Sequence, residues 1–590
     1  MAGEHISFFR NRSIDDEISQ LVSSGNFYDS MLSIDYFNWD YPGHTFLYWN
    51  TKADGSGTIV NPGDKHILLS NYYAIWAENI IYAVNGANLT KVADAIRTKG
   101  GTSDSLAFPD GFVSAVNAIS TSGGSTSVPA KEVNFRDYDG TVVYSYTPAE
   151  FAALTAMPDN PDHSGDEIPL TSQGWNWSFA DAQAYVAKYG RLEVGQMYAT
   201  ADGKTHVLIH LEQGRTSPIL GCCPNGTVDV DWGDGTAHDT LTGTSVSAVR
   251  WTHTHNYAAP GDYDIKLTCS GTMGFYGNSS NNQYCGLLRY SSSADSRNKV
   301  YQNAVQAVYC AENTTYISTY AFNSCYSLTS ITIPDRVTSI NNGAFQYCYS
   351  MTHITIPNSM TSINNSAFSS CFSLINVTIS DSVTSIGSSA FNNCYNLANI
   401  TIPDGMTRID TYTFQNCFSL PNFTIPDSVT SIGTYAFSNC YSLTGITIPD
   451  SVTIIDTYVF NGCHTITSII ISDSVTSINA NTFSSCYGLT NITIPDRVTS
   501  INSSAFSSCY SLTDITIPDS VTSIGTYVFN NCSGLAELHF LPTTPPTVAN
   551  ANAFSYIPAD CKIYVPTGSL SAYTTATNYP SSSTYTYIEE

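Results

Sequence analysis

Three aspartates stand close together at Asp229, Asp231 and Asp234, and two histidines, His206 and His210, alternate with apolar residues on one predicted strand. Paired carboxylates suit proton transfer, and mixed His/Asp sets suit a metal ion. Neither set is complete. The acids lack the Asp-x-Asp-x-Asp-Gly-x5-Glu calcium loop, and the Gly-Asp-Gly turn already accounts for Asp234. The histidines have no third ligand in the sequence pattern. No Gly-x-Ser-x-Gly elbow, phosphate-binding glycine loop or His-Glu-x-x-His helix occurs. Of 16 cysteines, the six outside the main repeat (Cys222, Cys223, Cys269, Cys285, Cys310 and Cys561) form no Cys-x-x-Cys pair and no zinc spacing. The sequence therefore reads as non-catalytic, with no cofactor and no metal.

The elements that must position any site are repetitive. A 23-residue period places Phe at 322, 345, 368, 391, 414, 437, 460, 483, 506 and 529, with Cys three residues later at 325, 348, 371, 394, 417, 440, 463, 486, 509 and 532. A fixed period of this size means stacked supersecondary units that bury one continuous core. In one unit, Ile446 and Ile448 alternate with Thr447, the pattern of a short strand, and Pro449-Asp450 ends it. Phe460 and Cys463 follow at helical-turn spacing. The predicted core is thus the Phe row (Phe345, Phe368, Phe391, Phe414, Phe437, Phe460, Phe483, Phe506) and the Cys row (Cys348, Cys371, Cys394, Cys417, Cys440). Buried thiols pack as small hydrophobes, so the row needs no disulfides. About ten coils at roughly 4.7–4.9 Å each make a core nearly 50 Å long.

Three outward rows are candidate ligand contacts. The Thr row includes Thr355, Thr378, Thr401, Thr424 and Thr447 and is broken by Ile470. Beside it runs a variable row: Ser330, His353, Asn376, Asn399, Asn422, Gly445, Ser468, Asn491 and Asp514. Variation inside a rigid repeat is where specificity can be encoded; a merely solvated face is the competing reading. An aromatic row follows each Cys and includes Tyr395, Tyr441, Tyr487 and Tyr510. Such rings suit recognition surfaces, although packing between coils explains them as well. A fourth, acidic row runs from Asp335 to Asp519, with Asn358 as its exception. One carboxylate per coil is thin for calcium, and Asp is an ordinary turn residue.

The pattern Leu-x-x-Ile-x-Ile-Pro-x-x-Val-x-x-Ile-x-x-x-Ala-Phe-x-x-Cys, as in Leu512 to Cys532 with Val528 in place of the Ala, resembles the bacterial BspA-type leucine-rich repeat. The likeness covers about 317–540. It implies a curved solenoid with a parallel sheet, used in adhesion and recognition. The segment from Cys561 to Tyr587 is similar to the cap that closes such arrays.

Upstream, residues 13–24 read as a short amphipathic helix opened by Ser13 and acids. Residues 43–76, with Trp49, Asp54-Gly55-Ser56-Gly57 and Trp76, resemble the Listeria–Bacteroides-type extracellular repeat, which implies a β-grasp-like spacer. Residues 85–121 place Leu89, Val92, Ala93 and Ile96 on one helical face ended by Gly100-Gly101. This stretch resembles a short module of tail fibres from phages and prophages of gut Gram-positive bacteria. A hairpin is predicted around Asp139-Gly140, with helices at 148–154 and 179–188. Val228-Asp-Val-Asp-Trp232-Gly-Asp-Gly235 with His255-Asn-Tyr257 resembles the polycystic-kidney-disease-type (PKD) β-sandwich.

The expected organisation is multidomain and mainly β: an N-terminal helical segment (1–33), the β-grasp-like repeat (34–80), the tail-fibre-like module (85–121), a linker (122–130), a mixed α/β module (131–204), a PKD-like sandwich (205–300), a solenoid of about ten coils (301–540) and a cap (541–590). The net charge is −26, and residues 301–540 hold three Arg and no Lys. That surface repels phosphate backbones and anionic membranes, leaving neutral glycans or proteins as partners. The first residues carry no apolar signal-peptide core, and no stretch has transmembrane length. The expectation is a phage tail-fibre or receptor-binding protein located in the virion, whose N-terminal modules meet other tail proteins and whose solenoid binds a host-surface glycan or protein. Alternatives are a BspA-type adhesin on the bacterial surface and a wall-polysaccharide enzyme with a repeat-type binding tail.

Overall fold

The computed structural model describes 131–277, 287–289, 301–421 and 423–590, plus the backbone of five strands nearer the start. The chain divides into two units, Met1–Val128 and Pro129–Glu590. In the first, β1 (Glu4–Phe9), β2 (Glu17–Val22), β3 (His44–Asn50), β4 (Ile59–Val60) and β5 (Asn71–Glu78) form one sheet in the order β2-β1-β5-β3-β4. The helix expected at 13–24 is therefore corrected. Residues 17–22 pair antiparallel with β1, Ile18 opposite Phe8, and a neighbouring ladder overrides a local helical pattern. The sheet also runs across the expected break at residue 33. The helical module at 85–121 lies outside the described residues.

In the second unit, β6 (Val133–Arg136) and β7 (Val142–Tyr146) make the hairpin around Asp139-Gly140. Helix α1 (Pro148–Ala152) starts from a capping box between Thr147 and Glu150, and α2 (Phe179–Tyr189) starts at Ser178 and ends on left-handed Gly190. β8 (Leu170–Trp175) and β9 (Leu192–Thr200) complete a four-stranded sheet in the order β7-β6-β9-β8. This module has its own core, in which Phe135, Phe151, Trp175, Tyr185 and Val194 pack together.

The next strands do not form a separate domain. β10 (Thr205–Leu211), β11 (Ile219–Asp231), β12 (Asp239–Thr244), β13 (Arg250–Trp251), β14 (Gly261–Cys269), β15 (Thr272–Phe275) and β16 (Leu288–Arg289) share a sheet with β17 (Val305–Tyr309), β18 (Thr314–Ile317) and β19 (Ser330–Thr332). β17 pairs antiparallel with β10 on one side and parallel with β19 on the other, so the first coils grow directly out of this sheet. One apolar core runs from Val207 to Tyr573. The expected boundary at residue 300 is not a break in that core.

The solenoid has about 12 turns, among them the ten that carry the Phe and Cys rows. The Phe row is fully buried and its rings stack at 5.2–5.8 Å. The Cys row is buried as thiols rather than disulfides. Nine of these thiols donate to the Phe carbonyl 26 residues earlier at 3.1–3.3 Å, as Cys371 does to Phe345. Burial raises the thiol pKa of Cys394, Cys417, Cys440, Cys486 and Cys509, and pushes those of Cys463 and Cys532 up to about 12, so these groups stay protonated and unreactive. Strands Asp514–Ile517, Glu537–Phe540, Lys562–Val565 and Thr586–Glu589 form the last parallel sheet, with helix α3 (Leu570–Thr575) beside it. Among the described residues no helix is long and apolar enough to cross a membrane.

Candidate functional site

The acids and histidines that invite a catalytic reading are engaged locally. Asp231 accepts from the Gly233 N–H at 2.9 Å, Asp229 pairs with His238 at 2.8 Å, and Asp234 pairs with His255 at 2.9 Å. His255 in turn stacks on buried Trp232 at 4.4 Å. His206 lies between Asp264 at 2.8 Å and Asp202 at 3.2 Å, while His210 has its own partner in Asp262. Burial pushes the His206 imidazole down, but hydrogen bonds and charge from Asp264 and Asp202 outweigh it and hold its pKa above the ordinary value. His238 also lies 3.6 Å from Asp231, and these groups support turns and strands. Among the described residues, no group of three His, Cys, Asp or Glu side chains could hold a metal ion.

The outward rows of the solenoid meet two different fates. The module of residues 131–204 lies across the strand face of the early coils. The Asn176 side-chain amide donates to the carbonyls of Ile356 and Thr378 at 3.1 and 3.2 Å. Trp177 Nε1 donates to Ile379 O at 2.7 Å, and the Tyr185 hydroxyl to Ile402 O at 2.9 Å. β9 runs so close that a Cβ on Gly195 would overlap the hydroxyls of Thr355 and Thr378, which is why glycine stands there. The Glu193 N–H donates to Thr401 Oγ1 at 3.1 Å.

Thr378, Thr401, Asn376 and His353 are therefore buried, and Thr355 is half-buried against the module. The expectation that these four candidates, Thr355, Thr378, Thr401 and Asn376, belong to exposed rows is corrected; they are an internal docking surface. Asn399 is half-buried and donates to Asn376. Burial, then the nearby Arg136 charge, pushes the His353 imidazole down to about 3. Its Nδ1 has no hydrogen-bond partner.

The cover ends at Asp404 and Asp427. The last turn of α2 forms the step: the Tyr189 hydroxyl donates to Asp404 at 2.5 Å and accepts from the Asp427 N–H at 3.2 Å. Lys188 reaches Asp427 at 3.0 Å and Asp404 at 3.5 Å. Beyond the step, Thr424 is half-buried, whereas Thr447, Asn491, Thr493 and Thr516 are exposed. Asn422 lies outside the described residues. A groove of about 1070 Å³ opens here, walled by Lys188 and Tyr189 and floored by Gly445, Thr447 and Ile470. Lys188 and Tyr189 belong to no repeat row, whereas Gly445 stands in the variable row and Ile470 is the break in the Thr row.

The aromatic row stacks face to face at 4.3–4.8 Å from Tyr326 to Tyr510, with Tyr395, Tyr441 and Tyr487 inside the stack. Only the edges of those rings can meet a ligand. Tyr510, at the end of the stack, is exposed.

A family model for the BspA type leucine rich repeat region matches 297–421 and 407–536. Residues 297–536 are a BspA-type leucine-rich repeat region. A leucine rich repeat protein of T. pallidum is 30% identical, over 30% of this chain and 85% of that one, with a TM-score of 0.28. A leucine rich cell surface protein of Faecalibacterium prausnitzii is also 30% identical, over 43% of this chain and 84% of that one, with a TM-score of 0.30. A pneumococcal vaccine antigen is 19% identical over 48% of this chain and 85% of that one, with a TM-score of 0.33. No curated protein matches the chain.

Proposed function

We propose that this protein is a non-catalytic surface-recognition protein, an adhesin in the broad sense, that holds a cell-surface glycan or protein on its solenoid. The observation that carries this reading is the uncovered strand face from Gly445 to Thr516. It is a rigid, regular surface of hydroxyls and carboxylates on an inert core. Its use outside a membrane, at the surface of a bacterium, agrees with the adhesive use expected of the repeat family. A second reading, a phage tail fibre placed in the virion, is supported by the resemblance at 85–121 and assigns the first unit to other tail proteins. The test is retention of the labelled full chain on Gram-positive gut bacteria and on mucosal epithelial cells, before and after periodate oxidation and protease shaving. Retention on bacteria that host a related phage favours the tail fibre, and retention on epithelium favours the adhesin. Binding to neither cell type overturns the proposal.

A further inference from the structure

The groove beside the step differs from the rest of the solenoid in a way the fold does not require. Gly445 replaces the Ser, His, Asn or Asp of its row, and Ile470 replaces the Thr of its row. The two sit on paired strands, Gly445 opposite Ser468 and Thr447 opposite Ile470. A Cβ at Gly445 would meet only the Ser468 carbonyl, at an ordinary 3.6 Å, so the backbone does not call for glycine there. Ile470 is 65% exposed, an aliphatic side chain left in water at a strand position elsewhere held by Thr. Two adjacent departures, one removing bulk and one adding an apolar surface, mark a recess shaped for something else.

The chemistry of that recess narrows the occupant. Lys188, the one cation among the described lining residues, is already held by Asp404 and Asp427, so nothing there favours an anionic ligand. The remaining polar groups are hydroxyls, such as Thr447 and Ser468, and the exposed carboxylates of Asp450 and Asp473. These accept hydrogen bonds from hydroxyl donors. Ile470 and the Tyr189 ring offer flat apolar surface to a C–H face.

We infer that this groove binds a neutral polysaccharide, with its hydroxyls on Thr447, Asp450 and Asp473 and its C–H face on Ile470 and Tyr189. The inference rests on the recognition reading above and gives that reading a place and a ligand class.

The experiment uses the full chain. Wild type, Gly445→Asn, Ile470→Thr and the double variant are passed over immobilised neutral glucan, mannan and galactan, over polygalacturonate and over polylysine. Both substitutions restore residues common in the same rows, so melting temperatures should match wild type. The expected result is retardation on at least one neutral polymer, weakened by about tenfold in the double variant and by less in each single one. Retention on polylysine alone, abolished by Asp450→Asn with Asp473→Asn, would overturn the inference in favour of a basic protein partner. Wild-type binding to cells that persists in full in the double variant sinks the groove and leaves the recognition reading standing. Wild-type failure on every cell type sinks that reading itself.

Discussion

The early and late halves of one strand face carry the same repeat and the same rows, yet Thr378 and Thr401 are buried while Thr447 and Thr493 stand in water. What separates them is a module some 200 residues earlier in the chain, ending its cover with Lys188 and Tyr189. A row in a solenoid is thus a set of equivalent positions only with respect to its own coils. Its exposure is decided by whatever else docks on it, and recognition surface is what remains.

Changes in the shared core should ignore this division. Phe345→Ala under the cover and Phe483→Ala beyond it remove equally buried rings, and each should cost about 3–5 kcal/mol by denaturant titration. A loss well below 1 kcal/mol at either site would mean that the stack is not the spine of both halves. Trp177→Ala should be felt on one side only. Trp177 is buried and donates to Ile379 O, so its loss should weaken the cover by about 3 kcal/mol and open the early face to proteolysis. Unchanged proteolysis there would argue against docking.

Acid sharpens the contrast, because the covered half alone holds a buried neutral imidazole. Unfolded His353 takes a proton near the ordinary 6.5, and the folded group only near about 3. Between those values the unfolded chain binds the extra proton. Stability from this group is therefore intact above pH 6.5 and falls as pH drops, by up to about 1.4 kcal/mol per pH unit. Asp381 runs the other way. Burial, then its neighbour Asp181 on α2, raises its carboxyl from 3.8 to about 6, so folding gains as pH falls through that window. Asp381→Asn should raise stability at pH 8 by about 1 kcal/mol after allowing for solvent screening. It should also steepen the loss in acid, which thermal melts from pH 8 to 4 will read. A flat or rising profile in that variant would contradict the buried neutral His353. Smallest of all, Ile470→Thr should change stability by less than about 0.5 kcal/mol, because an exposed side chain outside any contact network does little for the fold.

The sequence disclosed the solenoid because burial filters residues by size and polarity at every turn, leaving Phe437 and Cys440 in step with their neighbours. It did not disclose the cover. Asn176, Trp177 and Tyr185 bond to backbone carbonyls, and a carbonyl leaves no mark on residue type. It also placed a boundary at residue 300 that does not exist in the core, because a strand such as Val305–Tyr309 reads alike whether it ends a sandwich or begins a coil. Near the start, residues 17–22 had helical spacing, but pairing with Glu4–Phe9 decided their form. Of the groove, Ile470 was legible as the break in the Thr row and Gly445 as a member of the variable row; Lys188 and Tyr189 were not legible, since only docking brings α2 to the step.

Hydroxyl-radical footprinting of the intact full chain tests the division of the strand face most directly. His353 and Trp177 should resist oxidation, while Ile470 is modified rapidly. Oxidation of all three at comparable rates would show the early face to be as open as the late one, and the account would fail.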